Sequence, residues 1–191
     1  DDIVIGSIIL SDTIKEESKS AITALNKLGI KTMMFTGDNV EVAKTVASII
    51  GIKEVKAEML PNDKYNEIEK LIKNKTKGNV AFVGDGINDA PVLALADVGI
   101  AMGGIGASSA IEASDVVIMT DNLNKVAETI KLSKFVTRVI KQNLMFAFLV
   151  KLIVLELSVF GLAQMWMAIF ADVGVTLLTI LNTMRILWKR K

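Results

Sequence analysis

The sequence predicts an α/β fold, a Rossmann-type and mostly parallel sheet with helices on both faces, followed by a transmembrane helical hairpin. Three observations carry this. Short apolar runs alternate with amphipathic ones through residues 3–119. Several of these runs end in polar turns, the richest being Val83-Gly84-Asp85-Gly86-Ile87-Asn88-Asp89-Ala90-Pro91. Residues 143–187 then carry only four formal charges, Lys151, Glu156, Asp172 and Arg185, over a length sufficient for two spans of ~20 residues each.

Each element follows from its pattern. Residues 3–10 alternate as a strand does. Ile14, Ala21, Ile22, Leu25 and Leu28 recur at helical spacing, and Gly29 supplies a stop. Residues 31–35 read as a buried strand, and Thr36-Gly37-Asp38-Asn39 as a turn. A second helix runs to about Ile50 and ends at Gly51, and a short strand covers 54–57. Asn62 suits the N-cap of an amphipathic helix that contains Ile68, Leu71 and Ile72. A strand at 79–83, a helix from about Asn88 and strands near 98–101 and 116–119 complete the alternation. Such alternation builds a parallel sheet covered on both sides. A helix from about Leu123 to Asn143 leads into spans at about 144–163 and 165–187, so that 1–130 and 131–191 read as separate domains.

Composition narrows the chemistry. The chain has 191 residues, no Cys and no His, which excludes disulfides and thiolate or imidazole metal sites. Net charge is +1, and no basic, aromatic-rich face points to nucleic acid. Lys131, Lys134, Arg138 and Lys141 precede the first apolar run, and Arg185, Lys189, Arg190 and Lys191 close the second. The joint between them, 161–165, is uncharged, so the positive-inside rule puts both ends of the hairpin in the cytoplasm.

Strands of open α/β sheets present their chemistry at the carboxyl edge. Asp85 and Asp89, four residues apart with Asn88 between glycine-bounded turns, suit an oxygen-coordinated Mg²⁺ and a phosphoryl group. The hydroxyl of Thr36 can bond a phosphoryl oxygen, and Lys64, just after a strand, can neutralise phosphate charge. Phosphoryl transfer is mainly positioning and charge stabilisation, and this set supplies both.

Thr36-Gly37-Asp38-Asn39, Leu60-Pro61-Asn62-Asp63-Lys64 and Gly84-Asp85-Gly86-Ile87-Asn88-Asp89-Ala90-Pro91 resemble the phosphorylation domain of P-type ATPases, in the haloacid-dehalogenase-like superfamily. Val98-Gly99-Ile100-Ala101-Met102-Gly103, Ala110-Ile111-Glu112-Ala113-Ser114-Asp115 and two closing spans resemble its heavy-metal branch, although Ala107-Ser108 stands where relatives carry Thr or Ser before Asp. The resemblance implies an aspartyl phosphate made from ATP, with Thr36, Gly37, Asp38, Lys64 and Asn88 catalytic. It implies Mg²⁺ at Asp85 with Asp89, and Gly84 and Gly86 at the cofactor.

An ionisable group inside a bilayer costs about 2.5–3.5 kcal/mol, which makes it a functional candidate. By helical rise Asp172 lies about 10 Å from the outer face and Lys151 about 12 Å from the inner one. Zinc-, cadmium- and lead-exporting members carry a lysine and an aspartate at matching positions, which implies a transport site at Asp172 and Lys151. An oxygen ligand suits Zn²⁺ better than Cu⁺, and Met165 and Met167 read as packing residues. Glu156 is a further candidate, about 140° round the helix from Lys151.

The family's Asp-Lys-Thr-Gly-Thr string and Cys-Pro-Cys span do not occur in these residues. The sequence therefore reads as the carboxyl-terminal portion of a divalent-metal (Zn²⁺, Cd²⁺ or Pb²⁺) efflux pump of the cell membrane, inactive alone. Its expected partners are the metal ion, the lipid bilayer and the rest of the pump. A membrane-tethered phosphatase of the same superfamily and a regulatory fragment of a pump are the alternatives.

Overall fold

The computed structural model describes residues 13–84, 87–103 and 108–189. The strand expected at 3–10 lies outside them, as do Asp85 and Gly86. The chain divides into two compact units, Asp1–Ala127 and Glu128–Lys191.

The first unit alternates as expected: α1 (Glu16–Lys27), β1 (Met33–Phe35), α2 (Val40–Ile50), β2 (Glu54–Lys56), α3 (Pro61–Asn74), β3 (Ala81–Gly84), α4 (Ala90–Leu95), β4 (Val98–Met102), α5 (Ser108–Glu112) and β5 (Val116–Ile118). All strand pairs are parallel, as expected, and among the described residues the strands group as β1-β2 and β3-β4-β5. Among the described residues β1 and β3 each have a strand on one side only. The register sets Met33 against Glu54, and Val83 against Ile100.

Helix ends follow local chemistry. Asn39 caps α2, its side chain accepting from Val42 N at 2.9 Å, and Gly51 closes that helix at φ 86°. The α3 cap differs from the expectation at Asn62. Leu60 is the N-cap, Pro61 takes the first helical position and Leu60 N donates to Asp63 Oδ2 at 3.0 Å. Proline's fixed φ and missing N–H suit that position, and this moves the helix start two residues earlier. The expected helix from Asn88 begins as a short 3₁₀ turn, Ile87–Asp89, and only then becomes α4.

The core lies between α3, α4, α5 and the larger sheet: Ile68, Phe82, Val92, Leu93, Ala101 and Ala110 are buried together, with Phe35 of β1 packed against them. Ala21, Ile22 and Leu25 on α1 and Ala43, Ala47 and Ile50 on α2 are buried on two helices in contact. At the far end of α3, Lys75 Nζ bonds both carboxylate oxygens of Asp97, and Asp97 Oδ2 accepts from Val80 N at 2.7 Å. The Lys75 bond first, then the Val80 N–H, hold the Asp97 carboxyl below the usual carboxylate range. This joins the end of α3 to the approach to β3.

In the second unit the leading helix and first span are one helix, α6 (Asn124–Val159), of 36 residues that begins in the first unit. A joint containing Gly161 at φ 72° leads to α7 (Met165–Ile169), a π turn at Phe170–Gly174 and α8 (Val175–Lys189). Both helical stretches, Asn124–Val159 and Met165–Trp188, are long and apolar enough to cross a membrane.

Candidate functional site

The first candidate site collects at the carboxyl ends of β1 and β3. After Phe35 the chain turns at Thr36, whose Oγ1 donates to Asp38 Oδ2 at 2.8 Å and accepts from Asp38 N at 3.1 Å. The turn is tied to the segment before α3 by two backbone bonds, Met59 N to Thr36 O at 3.0 Å and Glu58 N to Asp38 O at 2.9 Å. Glu58 makes its bond at φ 54°, a left-handed conformation that side chains disfavour. One turn into α3, Lys64 Nζ reaches Asp89 Oδ1 at 2.9 Å, with side chains 20% and 13% exposed. An unbroken path of bonds and short chain segments thus joins the Thr36-Gly37-Asp38 turn, the start of α3 and the 3₁₀ turn after β3.

Asp89 is the buried charged side chain among the described residues. Gly84 makes room for it, because a Cβ there would stand 2.9 Å from Asp89 Oδ2 and 3.1 Å from the Phe82 ring. Asn88 is exposed beside it, Asp38 is exposed, and Thr36 is half-buried. With Asp85 and Gly86 outside the described residues, no group of three metal-ligating side chains appears among those described. The donors at this edge, carboxylates and an amide, are hard oxygens that fit Mg²⁺.

The second candidate site lies in the helical unit. Lys151 Nζ stands 3.6 Å from Asp172 Oδ1, so the two residues that the resemblance assigns to one transport site lie side by side. Their side chains are 63% and 80% exposed within this chain. Asp172 sits at the middle of the π turn, and Thr176 Oγ1 donates to its main-chain oxygen at 2.6 Å. Gly174 is needed there, since a Cβ would lie 2.6 Å from the Phe170 ring. π turns inside α-helices occur mostly at functional sites. The Glu156 side chain is exposed and has no hydrogen-bond or ion-pair partner among the described residues.

Sequence reasoning missed two features. The bond between Lys64 and Asp89 joins residues it assigned to separate tasks. Asn143 drew no attention, yet it bonds Thr179, Asn182 and Thr183 on the facing helix. An amide at the edge of an apolar run was the available signal, because lipid offers such a group no partner.

Comparison with known proteins fits this geometry. The family model for haloacid dehalogenase-like hydrolase matches residues 2–97. The chain is 50% identical over 184 residues to a cadmium, zinc and cobalt-transporting ATPase of Bacillus subtilis (strain 168), covering 95% of this chain and 26% of that protein. A zinc-transporting ATPase of Synechocystis sp. is 50% identical over 182 residues, again 95% of this chain and 25% of the relative. The crystal structure of a zinc-transporting PIB-type ATPase in its E2.Pi state superposes with a TM-score of 0.84 at 38% identity, over 92% of this chain and 28% of that one. The chain thus spans about a quarter of the length of these relatives. It belongs to the haloacid dehalogenase-like hydrolase family, and its likeness to metal-transporting P-type ATPases extends through both apolar helices.

Proposed function

We propose that this chain is part of an ATP-driven pump that exports a divalent heavy metal through an aspartyl-phosphate intermediate, the phosphorylated aspartate and most of the nucleotide site lying outside these residues. The observation that carries the reading is the presence of two lysine–aspartate pairs in one chain. One, Lys64–Asp89, lies at a sheet edge with phosphate chemistry, and the other, Lys151–Asp172, lies between two apolar helices. The relatives named above, called zinc- and cadmium-transporting ATPases, support it.

Residues 1–130 are read as a portion of the cytoplasmic phosphorylation domain, and 131–191 as a connecting helix with two spans of a multi-pass membrane protein. Both helix ends that carry basic residues face the cytoplasm. Thr36 donates its hydroxyl to a phosphoryl oxygen after releasing Asp38. Lys64 has three N–H donors. One held by Asp89 fixes the ammonium in place, and two remain for the transferring phosphoryl group. Asp85, with Asp89 and Asn88 in support, would hold Mg²⁺, which when bound neutralises phosphoryl charge. Among the described residues β1 and β3 each have one side without a strand, and an aspartate-bearing segment from elsewhere in the polypeptide would reach Thr36 and Lys64 there.

Asp172 is the oxygen ligand for the exported ion, Zn²⁺, Cd²⁺ or Pb²⁺, and Lys151 is its alternative partner. Metal and ammonium compete for one carboxylate, so the ion leaves as Lys151 takes the charge. In the complete polypeptide, Asp172→Ala is expected to abolish zinc-stimulated phosphorylation by ATP, measured as acid-stable ³²P label. Undiminished stimulation would remove Asp172 from the transport site.

A further inference from the structure

Asn143 and its partners form a compact hydrogen-bonded cluster inside the helical unit. Asn143 Nδ2 donates to Thr183 Oγ1 at 2.9 Å and lies 3.2 Å from Thr179 O, while Asn143 Oδ1 accepts from Asn182 Nδ2 at 2.7 Å. Thr183 Oγ1 in turn donates to Thr179 O at 2.8 Å, and Arg185 donates to Asn182 Oδ1 at 3.0 Å. The amide of Asn143 uses donor and acceptor together across two helices. A cation site is excluded by the guanidinium of Arg185 and by oxygens already occupied by N–H and O–H donors. The cluster has the form of a clamp.

Its position gives it a task. Asn143 precedes Lys151 by eight residues on α6, about 12 Å along the axis. Thr183 follows Asp172 by eleven residues, about 16 Å along an ideal helix. Two apolar helices in lipid gain little from choosing one register over another, because lipid tails solvate both choices equally; directional hydrogen bonds supply the preference. Among the described residues of the helical unit, the cluster and the Lys151–Asp172 pair are the polar links between α6 and the second apolar stretch. The pair cannot hold the register while it is being exchanged for metal.

We infer that Asn143 is a positioning residue: with Asn182 and Thr183 it fixes the sliding register and facing of α6 against α8 so that Lys151 stays within reach of Asp172 through the transport cycle. The inference rests on the transport reading for its purpose, but its geometry can be tested apart from it.

No cysteine occurs in these residues, so a cross-link within them joins the two introduced positions, and it is identified by mass spectrometry of the linked peptides. In the complete polypeptide in membranes, Lys151→Cys is combined in turn with Ile169→Cys, Asp172→Cys or Thr176→Cys and treated with a short bifunctional thiol reagent. Lys151→Cys removes the ion pair in every combination, so the clamp alone holds the register. Position 172 should dominate with Asn143 present. Asn143→Leu, which keeps an apolar helix, should lower the 172 preference about three- to tenfold and raise cross-linking at 169 or 176. Asn143→Gln, which keeps the amide, should restore it.

An unchanged 172 preference in Asn143→Leu overturns the inference, and so does an equal loss at all three positions, which would report a lost hairpin. With native Lys151 and Asp172, Asn143→Leu should also raise the half-saturating zinc for phosphorylation without lowering the rate at saturation. If zinc stimulates no phosphorylation in the unaltered protein, the transport reading falls while the cross-linking still judges the clamp.

Discussion

The two lysine–aspartate pairs use the same side chains in opposite ways. Lys64 and Asp89 approach to 2.9 Å with side chains 20% and 13% exposed, walled by Gly84, Phe82 and the start of α3. Lys151 and Asp172 stand 3.6 Å apart with side chains largely uncovered by this chain. Removing a partner from a closed pair strands a desolvated charge, whereas an open pair can exchange partners at small cost. Under the proposed function the first would stay in place while phosphate comes and goes, and the second would let go.

The comparison breaks most visibly at Lys64. Lys64→Ala should destabilise the first unit by about 2 kcal/mol, read as a lower urea midpoint, because Asp89 keeps its burial and loses its counter-charge. Asp89→Asn beside it should restore part of the loss, since an amide needs no cation. Next is Gly174→Ala, whose methyl must displace the Phe170 ring from the π turn. A cost of about 1–3 kcal/mol is expected, seen as faster amide exchange around Asp172.

Lys151→Ala is expected to cost less than about 1 kcal/mol in unfolding while altering zinc release, which separates holding from exchanging. A loss as large as that of Lys64→Ala would erase the distinction between the pairs. The smallest effect concerns Asp97, a third pair with Lys75. Its carboxyl is depressed when folded, so its stabilisation is complete above the unfolded value of about 3.9 and disappears as pH falls through the lower folded value. Asp97→Asn should flatten that part of a stability–pH curve and leave neutral pH nearly untouched in slope.

Much of this was readable from residue order. The α/β alternation, the Asn39-to-Gly51 helix and the two apolar stretches follow from periodicity and caps, which are local properties. The pairing of the described strands as β1-β2 and β3-β4-β5 was not readable, because strand neighbours are set by contacts between residues far apart in the chain. The α3 start was misread because Asn62 is a good cap by type, and only the context of Pro61 and Asp63 shifts the cap to Leu60. At the sites, Thr36, Lys64 and Asp89 were legible from their turns at strand ends, and Lys151 and Asp172 because intramembrane charge is rare. Their partnerships were only partly so. Helical rise put Asp172 within a long side chain's reach of Lys151, while nothing local couples Lys64 to a residue 25 positions away. The π turn left no periodic trace, since residues 165–171 ahead of Asp172 are all apolar and give no polar face against which one extra residue would show.

The unbroken length of α6 has a consequence for the membrane that holds it. Thirty-six residues rise about 54 Å, whereas a hydrocarbon core is about 30 Å thick. Such a rod carries no fixed waterline. Its draught is set by where Lys131, Lys134, Arg138 and Lys141 meet the headgroups, with Lys151 submerged ten residues beyond the last of them. Thickening or thinning the bilayer therefore changes how far that ammonium lies from water, and with it the cost of keeping it charged. Under the proposed function, the lipid composition of the host membrane would become a tuning variable for the affinity of the carboxylate beside it.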